Sequence, residues 1–124
     1  MGMKPRKKGA PAGGAGVQRA LKAFALALPE ATEDHPWGET VAKVKGKVFV
    51  FLGRGGPDFG IAVKLPESGQ ALLSMPFAEP TGYGLGKAGW VNVHWRASIP
   101  LELMQTWILE SYRAVAPKKL AALV

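Results

Sequence analysis

Cysteine is absent from the 124-residue chain. That excludes disulfides, thiolate catalysis, iron–sulfur clusters and cysteine-ligated zinc, and it suits a reducing compartment such as the cytoplasm. No run approaches the roughly 20 apolar residues needed to cross a bilayer, and the N-terminus lacks the apolar core of a signal peptide. A cytoplasmic protein without a membrane partner is expected.

Histidine and acid are also scarce. The two histidines, His35 and His94, fall in different elements, and neither has a partner at helical spacing suited to metal. Ser74, His94 and Asp58 supply the letters of a hydrolytic triad, but no nucleophile elbow surrounds the serine. Glu30, Glu33, Asp34 and Glu39 crowd one solvated connection. These residues form no catalytic constellation, so a non-enzyme without metal or cofactor is expected.

What the chain has in excess is positive charge: 16 Lys and Arg against 9 Asp and Glu, a net +7. Lys4, Arg6, Lys7 and Lys8 supply four of those charges, and residues 1–16 contain no acid. The remaining 12 basic residues face all 9 acids, so the domain itself is only mildly basic. Residues 1–16 are Gly, Pro, Ala and basic side chains that cannot offset their ordering entropy. They read as a disordered basic tail, and residues 17–124 as a single domain.

Within that domain Val17, Leu21, Phe24 and Leu28 recur at helical spacing, and Pro29 ends the helix. Residues 30–39 form an acidic, turn-rich connection. Thr40–Val44 and Lys47–Leu52 are β-prone runs joined by Lys45-Gly46, a hairpin signal. The second run is apolar on both faces and reads as a central strand. Phe59, Ile61, Val63 and Leu65 alternate with small or polar residues, predicting a half-buried strand. Pro66–Met75 reads as a short helix. A glycine-rich turn then feeds the strand Trp90–Trp95, with Val91 and Val93 on one face and Trp90, Asn92 and His94 on the other. Leu101, Met104, Ile108, Tyr112 and Val115 predict a long helix, with Ser98 as its N-cap and Pro100 in its first turn; Pro117 interrupts it. Strands grouped between helices imply an α+β fold of two layers, an antiparallel sheet with helices on one face, in the order α-β-β-β-α-β-β-α.

Gly84-x-Gly86-x-x-Gly89 matches the dinucleotide fingerprint in letters only, because a strand and not a helix follows it. The outward sheet face carries more information. Lys43, Lys45, Lys47, Lys64, Lys87 and Arg96 could track a phosphate backbone there, with Trp90 stacking on a base and Asn92 and His94 making polar contacts. The alternative is a small-molecule or peptide pocket between the His35–Glu39 loop and the Tyr83–Trp90 turn, using His35, Trp37, Glu39, Tyr83, Lys87 and Trp90. A chaperone-like interaction protein, monomeric or weakly dimeric, is the third expectation.

Five separated blocks carry a family resemblance. They are His35-Pro36-Trp37-Gly38-Glu39, Lys43-Val44-x-Gly46-Lys47-Val48-Phe49, Lys64-Leu65, Gly84-Leu85-Gly86-Lys87-x-Gly89-Trp90-Val91, and Glu110-Ser111-Tyr112-Arg113-x-Val115-Ala116-Pro117-Lys118-Lys119. With them the chain from Val17 to Val124 resembles the MmcQ/YjbR family of small bacterial proteins. The resemblance implies a two-layer fold similar to secretion chaperones, no catalytic residues, and DNA as the partner. The chain departs from the commoner family pattern at Leu85-Gly86, where many members carry an Asn before the lysine.

Overall fold

A computed structural model describes residues 13–53, 59–82, 84–95 and 99–124. The expected tail lies largely outside these residues, but helix α1 (Gly13–Leu26) starts four residues before the expected boundary. Strands β1 (Ala31–Asp34), β2 (Thr40–Val44), β3 (Lys47–Gly53) and β4 (Gly60–Lys64) follow. Then come α2 (Gly69–Leu73), β5 (Ala78–Pro80), β6 (Trp90–His94), α3 (Leu101–Val115) and α4 (Lys118–Ala121). The six strands form one antiparallel sheet in the order β1-β2-β3-β4-β6-β5. The α+β reading holds.

The structure adds one strand to the expected order, and the chain after Pro117 forms one more helical turn, α4. Ala31-Thr32-Glu33-Asp34 is an edge strand on β2 where the sequence suggested a loop. Acidic residues are poor strand formers. Here Lys22 lies 3.2 Å from Glu33, and Lys43 lies 2.7 Å from Asp34. An edge strand dressed in charge is also a poor template for aggregation. Ser98 lies outside the described residues, and Pro100 itself occupies the N-cap of α3 rather than its first turn.

The helices cover one face. Val17, Leu21 and Ala25 from α1 and Met104, Ile108 and Tyr112 from α3 bury against Val50, Leu52, Ile61, Val63, Val91 and Val93. Two bulges in the β2–β3 pairing leave Phe49 and Leu52 without a partner opposite, and both are fully buried. Three side chains of α3 tie the layers together. Ser111, fully buried, donates to the Phe49 carbonyl at 2.5 Å and accepts the Lys64 N–H at 2.8 Å. Tyr112 donates to the Pro29 carbonyl at 2.7 Å. Glu110 accepts the Glu67 and Ser68 N–H groups at 2.8 and 2.9 Å, fixing the approach to α2.

Candidate functional site

The face away from the helices is where the chain can meet a ligand. Register places Phe51, Ala62 and Asn92 side by side across β3, β4 and β6. Side chains directly opposite one another share a face, so the three form a floor. Val41, Ala62 and Trp90 are buried yet stand outside the main core, a second, thinner apolar layer on this side.

Two turns rise at the edges of that floor. The first, Pro36–Gly38, holds Trp37 at φ 52° and leaves it 91% exposed. A bulky L-residue in left-handed backbone is strained, and such strain collects at functional positions. Glycine 38 follows at φ 81°, a conformation that suits it. The second, Leu85–Ala88, is a 3₁₀ turn closed on both sides by glycines at positive φ, Gly84 and Gly89. Between the turns lies a hollow of about 400 Å³. Pro36, Trp37 and Glu39 rim one side, and Thr81, Gly82 and Leu85 rim the other. A smaller hollow of about 210 Å³ continues along the sheet past Glu39 and Gly53 to Gly60 and His94.

Within the hollow, Thr81 Oγ1 donates to Asn92 Oδ1 at 2.8 Å, which turns the amide nitrogen of Asn92 to other acceptors. Among the described residues, Glu39 is the single charged residue on the lining. Around it the charges are committed to one another. The hydrogen bond from Lys43 holds the Asp34 carboxyl below the usual carboxylate range, and the His35 backbone N–H adds to this. The hydrogen bond from Lys22 does the same for Glu33, assisted by His35, whose Nε2 lies 2.8 Å away.

The residues expected to hold nucleic acid are thus spread over different surroundings. Lys43 pairs with Asp34, and Lys45, at φ 51° in the β2–β3 hairpin, pairs with Glu30 at 2.7 Å. His94 Nε2 lies 2.8 Å from Glu79. Trp90 is only 9% exposed, its ring packed edge-on against Phe51 at 5.4 Å, so its faces are not presented for stacking. Lys47, Lys64 and Lys87 have no carboxylate within ion-pair distance among the described residues. Lys87 lines a separate crevice of about 200 Å³ against α2, not the hollow. Arg96 and Tyr83 lie outside the described residues. Of the alternative set, Trp37 and Glu39 meet at the hollow, whereas His35, Lys87 and Trp90 do not line it.

Sequence reasoning missed Phe51, Ala62, Thr81 and Leu85. Phe51 and Leu85 carried a signal, the first because β3 is apolar on both faces and the second because it sits in a recognised block. No local pattern marked Thr81.

Among the described residues, no helix is long and apolar enough to cross a membrane. No curated protein matches the chain. The crystal structure of a Deinococcus radiodurans protein with a DUF419 domain shares this arrangement, with a TM-score of 0.67 and 26% identity over 77% of this chain and 75% of that one. The YjbR family model matches residues 26–114, from the end of α1 to the last turn of α3, and both turns that rim the hollow fall inside this span. By that match, which takes in well over half of its length, the chain belongs to the YjbR family.

Proposed function

We propose that this YjbR-family chain is a non-enzymatic binding protein whose ligand seats in the hollow on the open face of the sheet. The observation that carries the reading is Trp37: a large aromatic ring held 91% exposed, in strained backbone, at the rim of a 400 Å³ cavity. A ring so placed adds aromatic area to the rim of the cavity, the kind of surface that small-molecule sites use. The cavity has the size and the largely apolar lining of a small-molecule site, with Asn92, Thr81 and Glu39 as its few orienting polar groups.

A thermal-denaturation screen against small organic molecules tests this. A ligand at a hundred times its Kd should stabilise the protein by roughly 2.7 kcal/mol. Trp37→Ala should abolish the shift for that ligand while leaving the unliganded transition in place. A shift that survives Trp37→Ala sends the ligand elsewhere.

Nucleic acid is the second reading, favoured by Lys47, Lys64 and Lys87, which have no acidic partner among the described residues. Anisotropy of labelled single- and double-stranded DNA at two salt concentrations tests it. Loss of each phosphate contact should reduce the salt slope by about one. If replacing all three lysines by Ala leaves affinity unchanged, while neutralising Lys4, Arg6, Lys7 and Lys8 removes it, binding belongs to the tail.

A further inference from the structure

The helix side of the molecule carries a hollow of its own, of about 410 Å³, where α3 passes the segment between β4 and α2. Thr106, Glu110 and Arg113 fall at spacings of four and three along α3, so they share one helix face and form one wall. Glu67 and Ser68 form the other, and Pro66 and Ala114 supply apolar surface. Glu110 ties the two walls together, its carboxylate accepting the Glu67 and Ser68 N–H groups and, at 2.6 Å, the Ser68 hydroxyl. Its oxygens are thereby committed. The two other charges on the lining, Glu67 and Arg113, have opposite signs, yet they lie beyond ion-pair distance of each other. Among the described residues neither has any other ion-pair partner. All residues that line this hollow, and their immediate chain neighbours, are described.

The two hydroxyls add a direction to this pair of charges. Thr106 Oγ1 donates to the Glu102 carbonyl at 3.0 Å, and Ser68 Oγ donates to Glu110. A hydroxyl has one proton to give, so both oxygens can only accept from a ligand. The Glu67 carboxylate is an acceptor as well. These groups suit an ammonium, whose N–H bonds need several acceptors. The Arg113 guanidinium, a planar fork of donors, suits a carboxylate. A ligand with a single charge would meet one of these demands and leave the other unmet. We infer that this hollow binds a small zwitterion of the α-amino-acid class, its carboxylate on Arg113 and its ammonium shared by Glu67 and the two hydroxyl oxygens. The site lies across the sheet from the hollow rimmed by Trp37 and uses none of its residues, so each stands or falls without the other.

Phenylalanine, phenethylamine and hydrocinnamate share an aryl-alkyl skeleton and carry both charges, the ammonium alone and the carboxylate alone. Each is titrated into the full chain at moderate salt, and binding is read from the backbone N–H resonances of Ser68 and Arg113. Phenylalanine should bind more tightly than either analogue by about threefold or more, the scale of one exposed ion pair. Arg113→Gln should bring phenylalanine down to the level of phenethylamine, and Glu67→Gln to that of hydrocinnamate. Both side chains are exposed and make no ion pair among the described residues, so both variants should keep the thermal midpoint of the unmodified chain. Either analogue binding as well as phenylalanine, a ranking that neither substitution alters, or silence of Ser68 and Arg113 toward all three overturns the inference. Shifts confined to the Trp37 indole overturn it too, and assign the amino acid to the open-face hollow.

Discussion

Trp90 and Phe51 meet edge to face, ring centroids 5.4 Å apart, on the side of the sheet that the helices do not cover. Aromatic rings in this geometry gain beyond their buried area. The pair lies beside the floor of the hollow and fixes where Phe51, one of the floor residues, presents its ring. Trp90 is therefore a support of the site. Trp90→Ala should cost about 3–5 kcal/mol, the range for removing a buried aromatic, read as a fall in the denaturant midpoint at unchanged slope. A stable Trp90→Ala that simply loses affinity for nucleic acid would make the ring a surface contact after all.

Ser111 offers a sharper test of how α3 is seated. Its hydroxyl serves the Phe49 carbonyl and the Lys64 N–H at once, with no exposure to water. Ser111→Ala strands two buried backbone groups, and each orphan costs roughly 1–3 kcal/mol. Loss of about 2 kcal/mol or more, with faster hydrogen exchange at Lys64, is the expected result. A neutral substitution would mean that the two strands need no tie from the helix.

Tyr112 links stability to alkaline pH. Burial pushes its phenol above the ordinary value of 10.0, and the nearby negative charge of Glu30 adds to the rise. The folded state thus favours the protonated phenol, which donates to Pro29. Its contribution is whole below the unfolded value near pH 10 and is lost as pH rises through the higher folded one. Urea titrations from pH 8 to 11 should show this decline. Tyr112→Phe should be about 1 kcal/mol less stable at pH 8 and should decline less above pH 10.

Trp37 should show the opposite balance between stability and function. At φ 52° a glycine is relieved of the steric penalty that a tryptophan bears, roughly 1 kcal/mol, though it brings more chain entropy to the unfolded state. Trp37→Gly should leave the thermal midpoint unchanged or higher, and it should remove ligand-induced stabilisation. A marked loss of stability would show that the indole is a structural prop.

Much of this arrangement was legible in the sequence. The apolar spacing of Val17 and Leu21, and of Met104, Ile108 and Tyr112, described helices whose buried faces the structure confirms. Lys45-Gly46 is the hairpin turn it resembled, with Val44 opposite Lys47. Both turns that rim the hollow stood out, one as a proline–tryptophan–glycine block and the other as a glycine run. What could not be read was pairing between distant segments. Strand β1 is acidic and forms only because β2 offers an edge and Lys22 and Lys43 offer charge. The same pairs take Lys43 out of the set available to phosphates. Alternation assigned Trp90 to the outer face correctly but could not foresee that Phe51, 39 positions earlier, lies against it. Period-two patterns give a side chain's direction, and cross-strand register decides whether that direction is exposed.

The central claim is that ligands of this protein seat between the Trp37 and Leu85 turns. Chemical-shift mapping of the full chain against a library of small organic fragments tests it most directly. The account predicts that binders perturb the Trp37 indole, the Asn92 side-chain amide and the methyl groups of Ala62 and Leu85 together. Perturbations centred instead on Lys87 and Gln70 in the crevice beside α2, with the Trp37 and Asn92 signals unmoved, would contradict it.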